Sequence, residues 1–570
     1  MTRTRIYLLA AASVLAVAAC NSTSGSNASD ESGSVVVTAQ KSDAAGRARN
    51  MPPPPPPAPL AMASPAFGAI ASPPPLGYAQ PLLGDIDRDK YEDVELNSVK
   101  VVAEEPVSTF SIDVDTASYS NVRRFLNDGV LPPKDAVRIE ELVNYFDYDY
   151  PLPKSETTPF STTVKVVPSP WADGRQIMHV GVQGYDIKAT DRPPLNLTLL
   201  VDVSGSMSSP DKLPLAVKAL KMLVDKLDSD DHVAIVVYAG AAGAVLEPTS
   251  GDQKGKIIAA LEQLNAGGST AGGEGLRLAY SLARQSYDKD AVNRVMLMTD
   301  GDFNVGISDP ERLEDFVSRE RETGVYLSVL GFGRGNYNDA MMQKLAQTGN
   351  GVAAYVDTLN EARKLFSDDL ASSMFTIADD VKIQVEFNPQ RVAEYRLIGY
   401  ETRLLKREDF NNDKVDAGEV GSGASVTALY EITPVGSSAR LMPESRYQQP
   451  EKVAADLSGE YAYLKLRYKP PGEDASKLIE RPVTNKDAVS SIDDAPESTR
   501  FALAVAGFGQ LLRGDPFLDK SFTWDKVISL ANGAKGSDAY GYRAEFVQLA
   551  RLAETAASQA ALPRPSTGGQ

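Results

Sequence analysis

Residues Leu195 to Met207, LNLTLLVDVSGSM, constrain this chain more than any other stretch. Leu197, Leu199, Leu200 and Val201 form the kind of apolar run that a strand buried on both faces requires. The run breaks into Asp202-Val203-Ser204-Gly205-Ser206. Three oxygen-bearing side chains at alternate positions can turn to one side as the chain leaves a strand, and Gly205 lets the backbone curl between them. Oxygen-only ligands suit a hard divalent cation such as Mg²⁺, which prefers octahedral geometry and keeps several waters. Short Ser/Gly loops are common, so the weight of this motif rests on what accompanies it downstream.

From Pro193 to about Ser372, strand and helix patterns alternate strictly. Strands are expected at Leu195–Val201, His232–Tyr238, Gly243–Glu247, Arg294–Thr299, Val325–Gly331 and Gly351–Val356. Amphipathic runs separate them, the first carrying Leu213, Val217, Leu220, Val224 and Leu227. This predicts an α/β domain, a doubly wound, mostly parallel, Rossmann-like sheet of six strands with helices on both faces. Such sheets bind ligands at the carboxyl ends of their strands. Two more oxygen clusters fall there. Gly267-Gly268-Ser269-Thr270 offers the Thr270 hydroxyl ahead of a helix, and Met298-Thr299-Asp300-Gly301 offers the Asp300 carboxylate. Asp202, Ser204, Ser206, Thr270 and Asp300 therefore come from three loops on one edge of one sheet.

D-x-S-x-S after the first strand, Thr after G-G-S, and T-D-G after the fourth strand resemble the metal-ion-dependent adhesion site of a von Willebrand factor type A domain. All five positions match. The resemblance implies that Ser204, Ser206 and Thr270 hold Mg²⁺ (or Mn²⁺), with Asp202 and Asp300 bound directly or through water. It also implies an open coordination position for an Asp or Glu of a protein partner. The flanks resemble a narrower bacterial family of such proteins. FSIDVDTASYSNVRRFL at Phe110–Leu126 and DAVRIEELVNYF at Asp135–Phe146 look like its N-terminal segment. EDFNNDKVDAGE at Glu408–Glu419 and VTALYEI at Val426–Ile432 look like its C-terminal domain. That resemblance adds architecture, not mechanism.

At 570 residues the chain exceeds one core, and its beginning reads as an address. Arg3 and Arg5 precede an apolar run from Ile6 to Ala19, the pattern of a secretory signal too short to span a bilayer once mature. Small residues ahead of Cys20 resemble a bacterial lipobox, so residues 1–19 are expected to be cleaved and Cys20 lipidated. Asn21 after it favours the outer membrane of the cell envelope. Cys20 is the sole cysteine, which excludes disulfides and thiolate metal sites. Residues 20–95 read as a disordered Ser/Ala/Pro-rich tether, with prolines at 52–57 and 73–75. Beyond it the boundaries are 96–192 for an N-terminal domain, 193–372 for the type A domain, 373–558 for a C-terminal domain and 559–570 for a tail.

In the flanks, strands are expected at Phe110–Asp115, Phe160–Val167 and Gln176–Val182, and again at Val381–Phe387, Ala393–Leu397, Ala424–Ile432 and Tyr461–Tyr468. Helices are expected at Ser118–Leu126, Ala136–Phe146, Thr499–Leu512, Trp524–Ala531 and Tyr542–Ala556. A doubly wound domain has neighbouring termini and inserts readily into another fold. The strands before Pro193 and after Ser372 are therefore expected to form one β-sandwich, within an α+β region that carries the type A domain.

Other motifs compete for function. Asp113-Val114-Asp115-Thr116 resembles the haloacid-dehalogenase phosphatase motif, with Asp113 as nucleophile and Asp115 as acid, but Thr116 comes one place early. Asp85 to Asp89 and Asp409 to Glu419 have calcium-loop spacing, yet Lys90 and Lys414 stand where the turn needs Gly. Solvated acidic surface is the expectation for both. His179 and His232 are the only histidines and lie in strands, so His-based catalysis and zinc sites fit poorly. Gly331-Phe332-Gly333-Arg334-Gly335 stops short of a dinucleotide loop at Asn336, and Gly251 to Lys256 is one residue short of a Walker loop.

The expected function is metal-dependent capture of a protein partner by an anchored envelope protein, not enzymatic turnover. The alternatives are an envelope scaffold with an unused metal site and a phosphatase built on Asp113 and Asp115. A net charge of −18 argues against nucleic-acid binding and against docking of the folded part on an anionic membrane. It also repels an acidic partner, although screening beyond roughly 8 Å confines that mainly to the on-rate.

Overall fold

Strands from the two flanks pair with each other across the central segment. The computed structural model describes residues 89–93, 95–268, 272–301, 310–334, 337–443 and 457–561. The first flank contributes β1 (Lys100–Val101), β2 (Val107–Ser111), α1 (Ala117–Asn127), α2 (Ile139–Asn144), β3 (Phe160–Pro168) and β4 (Gln176–Gly184). The central segment runs β5 (Leu195–Asp202), α3 (Leu213–Asp225), β6 (His232–Tyr238), β7 (Ala242–Ser250), α4 (Lys254–Glu262), α5 (Gly272–Gln285) and β8 (Val292–Thr299). It continues through α6 (Pro310–Glu322), β9 (Val325–Phe332), α7 (Asp339–Thr348), β10 (Ala353–Val356), α8 (Leu359–Arg363) and α9 (Leu370–Met374). The second flank adds β11 (Thr376–Phe387), β12 (Val392–Ile398), β13 (Gly418–Gly421), β14 (Ser425–Pro434), β15 (Glu460–Lys469) and β16 (Lys477–Thr484). It closes with α10 (Glu497–Arg513), α11 (Trp524–Asn532) and α12 (Tyr542–Ala560).

The central sheet has the order β10-β9-β8-β5-β6-β7. All its pairings are parallel except β6 with β7, as expected for a mostly parallel doubly wound sheet. Every residue of β5 is buried, which is what its unbroken apolar run required. On α3 the buried face is Leu213, Ala216, Leu220 and Leu223, joined by Leu215, Ala219 and Val224. It seats against Met296, Met298 and Phe332 in one core.

The flanks form two antiparallel sheets. One has the order β1-β12-β14-β4-β3; the other has β13-β11-β15-β16, with β2 also paired to β11. Strands from before and after the central segment thus share both sheets, and Val164, Val180, Tyr430, Val385 and Leu464 fill the space between them. The outer face of the first sheet, with Ile177, Ile398 and Leu429, is covered by α2, α10, α11 and α12 through Leu142, Phe501, Val527 and Phe546. Burial on both faces explains why β4 and β14 lack a polar alternation. The short β1 and β13, and the mostly exposed β16, carried no comparable signal.

The inserted domain is stitched at its root. Ser422 donates its backbone N–H to Phe375 O at 2.7 Å, and its hydroxyl accepts from Ile187 N at 2.8 Å, so one buried residue holds both connecting segments. A second junction is ionic. Arg123 of α1 is 1% exposed and its guanidinium meets Asp357, Glu361 at 2.7 Å and Glu545 of α12 at 3.1 Å. Arg138 likewise meets Asp339 of α7 at 2.6 Å and Glu141. Ordered contacts begin earlier than the sequence suggested. Asp89, read as the end of a solvated acidic run, is buried against Arg124 at 2.6 Å, inside the stretch read as tether.

His179 sits at the seam between the first sheet and its helices. Nε2 lies 2.7 Å from Tyr150 Oη and Nδ1 lies 3.0 Å from Thr499 Oγ1. Burial lowers its pKa to about 3. The folded chain therefore refuses a proton that the unfolded chain accepts below about 6.5, and stability falls by about 1.4 kcal/mol per pH unit as pH drops through that window. Buried carboxyls such as Glu140, pushed up to about 7 by burial, act in the opposite sense, but they are common to wild type and variant. Urea melts of wild type and His179→Gln should differ by a constant above pH 7. Between pH 6 and 4 the wild type should lose ground by about 1.4 kcal/mol per unit; parallel curves would refute the assignment.

Candidate functional site at the carboxyl edge of the central sheet

β5 and β8 are adjacent and parallel, in register as far as Val201 opposite Met298, so both release their chains at the same edge. Asp202 ends β5 and Asp300 follows β8; both are fully buried. Asp202 Oδ1 accepts from Ser204 N at 2.8 Å, the hydrogen bond that turns the chain sharply after the strand. Its Oδ2 accepts from Tyr238 Oη, at the end of β6, at 3.1 Å. Ser204 Oγ and Ser206 Oγ lie 2.9 Å apart, and Ser206 is exposed. The Gly loop closes over this turn, with Gly267 N donating to Val203 O at 2.7 Å and Gly205 N to Gly268 O at 3.1 Å. Asp202, Ser204, Ser206 and Asp300 are therefore brought together. Thr270 and Cys20 lie outside the described residues.

Burial raises the Asp202 pKa to about 6, and the charge of Asp300 adds to the effect, while hydrogen bonds from Ser204 and Tyr238 oppose it. Two carboxylates confined this closely need positive charge. One comes from Lys212, a residue that the sequence reading missed. Its Nζ donates to Asp300 Oδ2 at 2.8 Å, and the side chain is nearly buried. The available signal was a lysine immediately before an amphipathic helix, six residues after Ser206. The Gly331-Phe332-Gly333 motif also gains its explanation. Gly333 has φ +73°, and a Cβ there would lie 2.2 Å from Lys212 Cγ, so glycine leaves the lysine stem its path. Among the described residues, no group of three or more His, Cys, Asp or Glu side chains could hold a metal. The donor set at this edge is carboxylate and hydroxyl oxygen, which fits Mg²⁺ or Mn²⁺ and not zinc.

The competing motifs resolve differently. Asp113 Oδ1 accepts from Asp115 N at 3.0 Å and Arg403 Nη2 at 3.0 Å, and Oδ2 accepts from Arg403 Nε at 3.2 Å. Asp115 Oδ1 accepts from Ala353 N at 3.0 Å and Oδ2 from Arg403 Nη2 at 3.1 Å. All four oxygens are engaged in a latch that ties the first flank to the base of β10, and none stands free as a nucleophile. The loop from Asp409 to Asp416 is not simply solvated. Lys382 Nζ donates to Asp409 O at 3.3 Å and Asn412 O at 2.7 Å, and Lys469 Nζ donates to Asp413 O at 2.6 Å. Ammonium groups thus pin the loop backbone, and the side chains that a calcium loop would offer are engaged, Asn411 Oδ1 accepting from Arg467 at 2.8 Å and Asp413 Oδ1 from Ser476 at 2.7 Å.

Comparison with known proteins accounts for the whole folded part. Residues 196–368 match the von Willebrand factor type A domain, residues 85–179 a family described as von Willebrand factor, and residues 372–556 the C-terminal domain of uncharacterized protein YfbK. Uncharacterized protein YfbK of Escherichia coli (strain K12) is 46% identical over 472 residues, which are 82% of this chain and 81% of that protein. The chain belongs to the YfbK family. Human inter-alpha-trypsin inhibitor heavy chain H4 is 30% identical over 316 residues, 52% of this chain and 32% of that one. A von Willebrand factor type A structure from Catenulispora acidiphila is 16% identical with a TM-score of 0.38, covering 70% of this chain and 91% of that one. This chain thus carries a type A domain, a module that commonly mediates metal-dependent protein interaction.

In this YfbK-family chain, Gly333→Ala should displace Lys212 and lower stability. A left-handed backbone costs a non-glycine residue about 1–2 kcal/mol before the collision is counted. Thermal melts should show a clear loss for Gly333→Ala and little change for Gly243→Ala, where a Cβ meets open space.

Proposed function

We propose that the chain is a lipid-anchored envelope protein whose type A domain captures a protein partner through Mg²⁺ (or Mn²⁺) held by Asp202, Ser204, Ser206, Thr270 and Asp300. The observation that carries this reading is the edge itself. Two buried carboxylates and a pair of hydroxyls 2.9 Å apart converge there, with Lys212 supplying one positive charge against the two negative ones. A bound divalent ion would supply a Lewis-acidic position open to a carboxylate of the partner. The chain's own residues do the rest. Ser204 N and Tyr238 Oη fix the Asp202 carboxylate, the exposed Ser206 opens the site to a protein surface, and Lys212 tempers the charge at Asp300. Anchoring at Cys20 of the envelope membrane, on the end of a proline-rich tether, belongs to the same reading and rests on the leader's sequence. The engagement of Asp113 and Asp115 by Arg403 weighs against the phosphatase alternative.

Asp202→Ala should stay folded, because it removes a buried carboxyl that burial already disfavours. It should lose both the Mg²⁺-induced rise in melting temperature and the capture of an envelope partner. EDTA should reproduce the loss in wild type. Capture unchanged by EDTA would sink the adhesive reading, and the absence of any Mg²⁺ shift in wild type would favour the scaffold.

Lys212→Met should bind Mg²⁺ at least tenfold more tightly than wild type in a calorimetric titration. A unit charge about 4 Å away at an effective dielectric near 20 carries about 4 kcal/mol of Coulomb energy, part of which metal must overcome. Equal affinities would show that Lys212 is only a structural partner of Asp300.

A further inference from the structure

At the opposite edge of the central sheet, where it meets the sandwich, lies a cavity of about 220 Å³. Its walls are the start of β8 with Arg294, the loop before β10, the end of the closing helix (the run from α8 through α9) at Ser372 and Ser373, and β13 with Glu419. Arg294 is unusual in this chain. It is 2% exposed, yet its guanidinium donates only from Nη1 to Ser328 Oγ at 2.7 Å, lies 5.9 Å from the Tyr326 ring centroid, and its Nε finds no acceptor among the described residues. Buried Arg123, Arg124, Arg138 and Arg396 each meet at least one carboxylate. A guanidinium removed from water without a counter-ion is costly, and chains keep such groups where something else supplies the charge.

Across the cavity the imbalance is reversed. The Glu419 carboxyl meets only its own backbone N–H, and burial together with the charges of Asp416, Asp379 and Asp380 holds its pKa well above the usual range. The charge of Glu419 reaches Arg294 only as a minor influence, and no ion pair joins them. One wall thus lacks an anion and the facing wall lacks a cation. A simple anion would satisfy Arg294 and share the space with the carboxyls of Asp113, Asp115, Asp416 and Glu419. A simple cation would satisfy Glu419 and be repelled by Arg294; Arg403, which also lines the space, is already met by Asp113 and Asp115. A molecule carrying both charges satisfies both walls. The volume falls below the roughly 300–1,000 Å³ of pockets for drug-sized ligands, so the occupant is small.

We propose that this cavity binds a zwitterion of amino-acid size, its carboxylate on Arg294 and its ammonium on Glu419. Guanidinium and carboxylate are geometrically matched for such a contact. The proposal is independent of the metal site.

The test uses the full chain in thermal melts with the common amino acids, β-alanine and γ-aminobutyrate, and with acetate and methylamine as single-charge controls. One or more zwitterions should raise the melting temperature in a concentration-dependent way, as any ligand of the folded state must. The controls should bind at least tenfold more weakly. Arg294→Met should weaken zwitterion binding at least tenfold while leaving the ligand-free protein as stable as wild type or more so, since it removes an uncompensated buried charge. Glu419→Gln should weaken zwitterions and leave acetate unchanged. Three results overturn the proposal: no zwitterion shifts the wild type, acetate binds as well as the amino acids, or Arg294→Met binds as wild type does. A strongly destabilised ligand-free Arg294→Met overturns it as well, because Arg294 would then be a structural partner of Glu419 through water.

Discussion

An inserted domain is tied to its host by two covalent links, and everything else about its placement depends on what crosses the junction without a bond. Here that is chiefly the guanidinium of Arg123. It reaches from α1 to Asp357 and Glu361, where the inserted domain ends, and to Glu545 on α12. Three distant stretches of chain converge on one cation that burial forbids to stand alone. Tyr119 and Tyr145 stack at 3.8 Å beside it, and Tyr145 Oη donates to Glu361 at 2.9 Å, so the pair sits in a wall of rings and hydroxyls, not in water. The Ser422 stitch does at the root what Arg123 does at the side. Together they make the helices of the two flanks and the closing helix of the central domain one packed body.

Charge placement follows the same logic at the carboxyl edge. A site for a divalent ion must hold carboxylates close enough to cooperate, which destabilises the ion-free protein. The fold answers with an ammonium on a tether of methylenes. Lys212 runs past Gly333 to Asp300, where a branched or even a methyl-bearing residue at 333 would bar the way. Tyr238 and the Ser204 amide each occupy one lone pair of Asp202, which leaves each oxygen another. The edge is therefore preorganised by hydrogen bonds, and one of its two negative charges is met by the ammonium of Lys212.

Most of the fold was legible because its signals are periodic. The six central strands follow from apolar runs between turn residues, and the shared sandwich follows from the tendency of a doubly wound domain to insert. What escaped detection was short, exposed or dependent on partners far away in sequence. β13 has four residues, and its Glu419 looks like part of an acidic loop until the cavity gives it a neighbour. Asp89 reads as solvated surface because nothing near it in sequence announces Arg124. Asp202, Ser204, Ser206 and Asp300 could be placed from their spacing after strands, since strand polarity alone fixes which edge they share. Lys212 and Arg294 could not, because a lysine or arginine in sequence does not reveal whether its charge is met.

The two features at opposite edges of the sheet are physically separable. Asp300 and Arg294 lie at the two ends of β8, six residues apart, or about 20 Å at roughly 3.3 Å per residue. Two unit charges that far apart at an effective dielectric near 20 interact by only about 0.8 kcal/mol. The strand between them is packed on both faces by Met296, Met298, Val295 and Leu297, which leaves no loose element along which a local shift could travel. Direct electrostatic crosstalk is therefore weak. Any coupling would have to run through the closing helix, whose Ser372 and Ser373 line the cavity while Ala362 and Phe366 pack in the core with Met298 and Phe332. That helix is interrupted by a π-turn at Lys364–Asp368 and held by Arg123 at one end. A single buried arginine thus stands between two independent sites and a coupled pair.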